Sequence, residues 1–396
     1  MNHDICVIGG CGHVGLPLAI CFADKGQRVA ILDVDQRAIS LVSSGRMPFK
    51  EEGADDLLRK ALSAGLISCS TSPEVISNSR AVILVLGTPV DAHLNPSFAD
   101  IIRVVRQHLP HFRDGQLVVL RSTVYPGTSE KIDQLLKEAG LSIDIAFCPE
   151  RIAEGHAISE THELPQIVSG ATPEALRRAR ELFSILAGDI VELSPMEAEL
   201  AKLFTNAWRY IKFAIANQFY SIANDHGLDY YKIHQAMTHN YPRAKDLPRA
   251  GFAAGPCLFK DTMQLAAFSN NSFFLGHAAM LVNEGQPAYI VDRLRQSCSL
   301  HDTVVGILGM AFKGDSDDPR ESLAYKLRKI LEIECKEVLI TDPYVPDERI
   351  ISSEEVISRS DVLILGAPHK VYKELDLKDK PIVDIWNFFG KGGLIP

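Results

Sequence analysis

Short apolar runs rich in β-branched residues alternate with amphipathic stretches through the first 150 residues. DICVIGG (4–10) ends on glycine, VGLPLAICFADKG carries helical spacing and RVAILDVD (28–35) is a second run, so the pattern predicts strand, helix, strand. AVILVLG (81–87), LVVLRST (117–123) and IDIAF (143–147) continue it, with FADIIRVVRQHL as an intervening helix. Runs this continuously apolar belong to strands buried on both faces, which predicts a parallel sheet covered by helices. From residue 194 the period becomes helical, and SPMEAELAKLFTNAWRYIKFAIANQFYSIANDHG reads as one helix. Ser194 is its expected N-cap, Pro195 its first residue, Glu197 the partner in a capping box and Gly227 its stop. Four further runs, TVVGILGMAF (303–312), EVLITDPYV (337–345), DVLILGAP (361–368) and PIVDIW (381–386), restore the alternation. The expected fold class is α/β, with two Rossmann-like parallel-sheet domains joined by a long central helix. The expected boundaries are 1–193, 194–300 and 301–396.

A length of 396 residues is more than one ordinary core accommodates and fits two to three domains. A helix of this length spans about 45–50 Å, more than packing within a small domain requires, and its aromatic content makes it a candidate homodimer interface, with burial inside a single chain as the alternative reading of the same residues. The formal net charge of −9 argues against nucleic acid or an anionic membrane as a partner. Eight cysteines are scattered without a CxxC pair or a Cys/His cluster at zinc spacing, so free thiols, no metal and a reducing compartment are expected. No basic leader and no run of 18 apolar residues is present, and the expected location is cytoplasmic.

Gly10-Cys11-Gly12-His13-Val14-Gly15 fits GxGxxG between a predicted strand and a predicted helix. Glycines there allow a tight turn and let backbone N–H groups approach a pyrophosphate. The second strand ends at Asp33, 18 residues after Gly15, where a carboxylate accepts hydrogen bonds from an adenosine ribose and repels a 2′-phosphate. The motif therefore predicts NAD as cofactor.

Gly251-Phe252-Ala253-Ala254-Gly255-Pro256-Cys257-Leu258-Phe259-Lys260-Asp261 sets a cysteine in a small-residue loop, with a cation three and a carboxylate four residues on. A thiol so placed is a candidate nucleophile, whereas the other seven cysteines read as small buried hydrophobes. The segment resembles the cysteine loop of the UDP-glucose/GDP-mannose dehydrogenase family, which commonly reads close to GFGGxCxxKD. GTP (87–89), RSTVYPGT (121–128), CPERIAEG (148–155), ELAKLFTNA (199–207) and AFKGDSDDPRES (311–322) extend the resemblance in family order over nearly the whole chain. Where the family has a double glycine before the cysteine, this chain has Ala253-Ala254-Gly255-Pro256.

The resemblance implies an N-terminal NAD-binding domain, a central dimerisation region, a C-terminal nucleotide-sugar domain and four-electron oxidation at C6 of a UDP-sugar. Cys257 would attack the C6 aldehyde and carry the acyl group as a thioester. Lys202 and Asn206, four apart on the long helix, would stabilise oxyanion character. Asp261, Glu150 and, one turn on if that stretch is helical, Glu154 are candidates for proton transfer and thioester hydrolysis. Thr123 would order water or substrate, and Thr88 and Pro89 would meet the cofactor. Lys313 and Arg320 would contact the sugar nucleotide and the cofactor phosphates, Gly255 and Lys260 would line the substrate site, and Arg243 would reach the substrate, across the dimer. CLFKD points to UDP-glucose as the first expectation, while PERI and ELPQIVSG point to a UDP-N-acetylhexosamine (GlcNAc or ManNAc) as the alternative. A β-hydroxyacid-type dehydrogenase and a catalytically silent nucleotide-sugar sensor are the remote readings.

Overall fold

The computed structural model describes residues 2–87 and 98–395. The chain divides into two compact units, Met1–Thr205 and Asn206–Pro396. The first is built on a six-stranded parallel sheet: β1 (His3–Ile8), β2 (Val29–Leu32), β3 (Ile67–Ser70), β4 (Ser79–Leu84), β5 (Leu117–Leu120) and β6 (Asp144–Phe147), in the order β3-β2-β1-β4-β5-β6. Alternate residues feed two cores, with Ile5, Val7, Ile31, Ile83 and Val119 on one face and Cys6, Ile8, Leu32, Val82 and Val118 on the other. That two-sided burial is why the strands read as continuous apolar runs. A separate parallel pair, β7 (Gln166–Val168) and β8 (Ile190–Glu192), follows. The apolar pattern did not announce β3, β7 or β8: β3 is the Ser-rich ISCS at the sheet edge, and the other two are three residues long.

In the second unit, β9 (Val304–Leu308), β10 (Glu337–Thr341), β11 (Val362–Leu365) and β12 (Ile382–Val383) form a parallel sheet in the order β10-β9-β11-β12. The turn after β9 repeats the first hydrogen bond of the turn after β1. Gly9 N–H donates to Leu32 O and Gly309 N–H to Thr341 O, each at 2.8 Å. Both glycines have positive φ, +75° and +94°, and a Cβ on either would strike the strand on the other side, at Val85 or Ala367. A carboxylate just past the second strand then accepts from the turn, Asp33 from Cys11 and Asp342 from Met310 and Ala311.

The long helix runs Pro195–Asp225. Its N-terminus is the expected capping box: Glu197 accepts from Ser194 N at 2.9 Å and from Ser194 Oγ at 2.7 Å. At the other end Leu228 N–H reaches back to Ala223 O at 2.9 Å over Gly227, whose φ is +67°, a left-handed stop of the Schellman kind. No helix among the described residues is long and apolar enough to cross a membrane. Ser194→Ala is expected to lower stability by about 1 kcal/mol, read as an earlier urea-unfolding midpoint by far-UV circular dichroism; an unmoved midpoint would show that the cap contributes nothing.

Candidate active site

In the first unit the residues expected to hold a dinucleotide lie at the carboxyl ends of the parallel strands, where the order reverses between β1 and β4, the place such sheets bind ligands. Gly10 and Gly15 are glycine because neighbours leave no room: a Cβ would come within 2.8 Å of Ile31 Cγ2 at Gly10 and within 2.5 Å of Gly9 O at Gly15. Gly12 differs, being exposed with nothing nearer than 3.7 Å to its would-be Cβ, so it leaves open the approach that a pyrophosphate needs. Val14 is the N-cap of the helix Gly15–Asp24, and His13 stacks on Phe49 at 4.0 Å. Asp33 is fixed by Cys11 N–H at 2.9 Å and Asp35 N–H at 3.1 Å, half-buried at the end of β2. Turn, helix N-terminus and carboxylate together fit NAD. Thr88 and Pro89 lie outside the described residues.

Thr123 is half-buried in the loop after β5. Two residues earlier stands the group the sequence reading missed, Arg121, fully buried. It donates to Cys148 O at 3.0 Å, Pro149 O at 3.2 Å and Gln166 Oε1 at 2.9 Å, lies 4.8 Å from the Phe183 ring centroid, and pairs with Glu150 Oε2. The other oxygen of Glu150 accepts Arg151 N–H and Ile152 N–H at 2.7 and 3.0 Å. The loop after β6 is thereby shaped around Glu150. It is not helical as far as Glu154, which sits in a turn, so the two carboxylates do not share a helix face. The signals for Arg121 were a charge closing an apolar run, LVVLR, and its place at the head of the family-like segment RSTVYPGT.

Lys202 is 9% exposed, and no acceptor pairs with its ammonium among the described residues. It is therefore no solvated surface lysine: an uncompensated cation this deep favours an anionic ligand. Asn206 follows one turn later on the same helix.

In the second unit Cys257 is exposed at the N-terminus of the helix Leu258–Phe268, where backbone N–H groups and the helix dipole favour negative charge. The contrast with other thiols is physical: burial pushes Cys6, Cys11, Cys21 and Cys148 up to about 12, which makes them inert. One turn into the helix Asp261 is wholly buried; it accepts from Asn206 Nδ2 at 2.6 Å and lies 3.3 Å from Lys260 Nζ. Asn206, Lys260 and Asp261 are thus brought together beside Cys257. Gly255, at φ +101°, takes a conformation that demands glycine, and a Cβ there would lie 2.5 Å from the Phe312 ring. Its N–H donates to Glu321 O at 3.3 Å, so the cysteine loop and the 311–322 segment are packed as one. Lys313 adjoins Phe312, while Arg320 is forked onto Asp318, with Nη2 to Oδ2 at 2.6 Å. Arg243 is exposed and leans on Tyr241, Nε donating to its hydroxyl at 2.8 Å.

Comparison with known proteins identifies this arrangement. The UDP-glucose/GDP-mannose dehydrogenase family matches in all three of its parts: the NAD-binding domain over residues 3–187, the central domain over 196–284 and the UDP-binding domain over 306–391. A UDP-N-acetyl-D-mannosamine dehydrogenase of Pyrococcus horikoshii is 31% identical, over 93% of this chain and 90% of its own length. The solved structure of a UDP-D-ManNAc dehydrogenase from P. horikoshii superposes with a TM-score of 0.91 at 28% identity, covering 97% of this chain and 96% of that one. A UDP-glucose dehydrogenase structure from Pyrobaculum islandicum gives 0.89 at 26% identity, covering 97% and 94%. A UDP-binding part in family order argues against a β-hydroxyacid-type enzyme, and relatives named as dehydrogenases argue against a silent sensor. The chain belongs to the UDP-glucose/GDP-mannose dehydrogenase family and is an NAD-dependent nucleotide-sugar dehydrogenase.

Proposed function

We propose that the chain oxidises the C6 alcohol of UDP-N-acetyl-D-mannosamine to the uronic acid through a thioester on Cys257. The contact of Asn206 with buried Asp261, one helical turn past an exposed Cys257, carries the chemistry. The sugar is drawn from the relatives, whose names favour the N-acetylhexosamine alternative over the UDP-glucose placed first on sequence.

Bound NAD supplies a hydride acceptor at each of two oxidations, so one sugar consumes two; Gly10, Gly12, Gly15 and Asp33 would hold it. After the alcohol has become an aldehyde, the Cys257 sulfur adds to C6 and a C–S bond forms, giving a thiohemiacetal. Loss of the second hydride and of the hydroxyl proton leaves a thioester. Water then cleaves the C–S bond, releasing the carboxylate and returning the thiol. Lys202 and Asn206 stabilise oxygen charge at C6, and Asp261, fixed by Asn206 and Lys260, holds that amide in place. The loop from Glu150 to Glu154 supplies the carboxylate that activates water, with Thr123 nearby in the same unit. Lys313, Gly255 and Arg243 line the path of the nucleotide-sugar, and Arg320 reaches cofactor phosphate once it leaves Asp318.

The proposal extends to a homodimer. The long helix exposes Phe204, Trp208, Ile215, Phe219 and Ile222 at helical spacing, an apolar stripe of the kind that marks a protein–protein interface. A second copy supplies the same stripe in return, as a twofold interface requires.

With limiting UDP-N-acetyl-D-mannosamine and excess NAD, two NADH per sugar are expected at 340 nm, against none from UDP-glucose. Two from UDP-glucose and none from the amino sugar would transfer the reading to UDP-glucose. Cys257→Ala is expected to cut acid formation by on the order of a thousandfold or more while NAD affinity stays within about twofold; robust acid from that variant would refute the thioester. Light scattering is expected to give twice the chain mass for the wild type and a single chain for the double variant Trp208→Glu/Phe219→Glu. An unchanged mass would move the interface off this helix.

A further inference from the structure

Among the buried polar groups that the proposed chemistry leaves unused, His369 has the most fully defined surroundings. It follows β11, has no exposed surface, and lies edge-on to the rings of Tyr344 and Tyr372 at 5.2 and 5.3 Å. Its Nδ1 accepts the Asp315 N–H at 2.9 Å. That bond assigns the ring proton to Nε2, which donates to Asp342 Oδ2 at 3.0 Å. The same carboxylate oxygen takes the N–H groups of Met310 and Ala311, at 2.6 and 3.0 Å. One imidazole therefore grips the 309–315 loop at both ends, at its start through Asp342 and at its end directly. Asp315, in the left-handed region at φ +58°, closes the clasp from the outside: its carboxylate accepts Lys370 N–H at 2.9 Å and lies 3.3 Å from Lys370 Nζ. Gly314 is pressed onto the same segment, since a Cβ on it would sit 2.5 Å from Pro368 O.

Between the gripped ends are Phe312, which packs on Gly255 of the cysteine loop, and Lys313, placed on the nucleotide-sugar by the family resemblance. We propose that His369 is a positioning residue for the nucleotide-sugar: by fixing both ends of the 309–315 loop it holds Lys313 and Phe312 in the shape that binds the UDP portion. The inference rests on the reading of residues 306–391 as the UDP-binding part. The equivalent turn of the first unit shows what His369 adds. Asp33 stays half-buried and accepts one N–H group on each oxygen, with no side-chain partner, whereas Asp342 is 6% exposed and takes four backbone N–H groups together with the His369 imidazole. The second turn is thus stiffened from behind instead of being open to a ribose.

A group acting this way changes affinity and leaves the chemical step alone. The test is calorimetric titration of the full-length chain with UDP, together with steady-state kinetics. His369→Leu, which strands the Asp315 N–H and the Asp342 carboxylate, is expected to weaken UDP binding by about tenfold and to raise KM for the nucleotide-sugar in step. kcat and NAD affinity should stay within about twofold. His369→Asn, able to keep an acceptor at the Nδ1 position, should recover most of the loss. Asp315→Ala acts from the solvent side without disturbing the core and should weaken UDP in the same direction. Tyr372→Phe, which removes only a 3.3 Å hydrogen bond to Thr341 O in the same pocket, should lower Tm and leave UDP affinity unmoved. Wild-type UDP affinity in both His369→Leu and Asp315→Ala, with only Tm reduced, would overturn the proposal, as would a fall in kcat matching the rise in KM. Failure of the wild type to bind UDP would instead overturn the domain reading, and this inference with it.

Discussion

The loops at the carboxyl edges of the two sheets present backbone N–H groups that no strand can satisfy, and leaving them buried and unbonded would cost about 1–3 kcal/mol each. Carboxylates satisfy many of them. Asp33 takes Cys11, Asp342 takes Met310, Ala311, Tyr344 and Val345, and Glu150 takes Arg151 and Ile152. Glu199 takes Gly127 and Ser129, and Glu51 takes Gly155 and Ala157. The loops after β1, β5, β6 and β9 each hang on such an anchor, whereas the one after β4 is held at Leu86 N–H by the Ser122 hydroxyl. Burial raises Glu51 and Glu199 above the usual carboxylate range in spite of their N–H partners. Asp342 goes the other way: burial opposes its charge, but His369 and its amides outweigh it and hold the group low. The anchors are therefore compromises between desolvation and hydrogen bonding, set locally by whether a cationic or hydrogen-donating side chain joins the amides.

One turn design has been put to two uses. After β1 it is tipped with Gly10, Cys11 and Gly12, whose minimal side chains leave the backbone open to a pyrophosphate. After β9 the equivalent residues are Met310, Ala311 and Phe312, with the first two fully buried. Side chains now fill the space a dinucleotide would need, and the loop instead offers Phe312 and Lys313. The same fold element thus binds NAD in one unit and contributes to a UDP-binding domain in the other because of three residues at its tip, a case of function residing in the site more than in the fold.

Most of this was legible where the information is local. Two-sided burial writes continuous apolar runs, so β1, β2, β4, β5, β6 and the four strands of the second sheet could be located from hydropathy, and the capping box and Gly227 bounded the long helix within two residues. β3, β7 and β8 are too short or too polar to leave such a trace. The candidate site divides in the same way. GxGxxG with Asp33, and Cys257 with Lys260 and Asp261, are compact strings. The pairs that shape the loops around those strings lie 27 to 72 residues apart: Arg121 with Glu150, Glu199 with Gly127, Asp342 with His369. No periodicity encodes such pairs, and each partner alone reads as an ordinary charged residue.

The departure from the family's cysteine loop can be weighed by the same local geometry. A glycine is required where φ is positive or where another group occupies the Cβ position: in Gly251–Cys257 the Trp386 ring occupies it at Gly251, 2.1 Å away, and the Phe312 ring at Gly255, where φ is also +101°. Ala253 and Ala254, which stand near the family's double glycine, bring methyl groups: Ala253 is buried against Tyr210, Leu258 and Ala279, and Ala254 packs beside the core around Tyr220 and Ile290. Those methyl groups lower the conformational entropy of the unfolded loop and so favour its folded form. The Asn217 amide, itself held by Asn283 at 2.9 Å, accepts Gly251 N–H at 2.9 Å and fixes the far end of the loop. The cysteine is therefore presented by a segment pinned at Gly251 and at Gly255, and the substitution of alanine for glycine falls where the backbone does not need glycine's freedom.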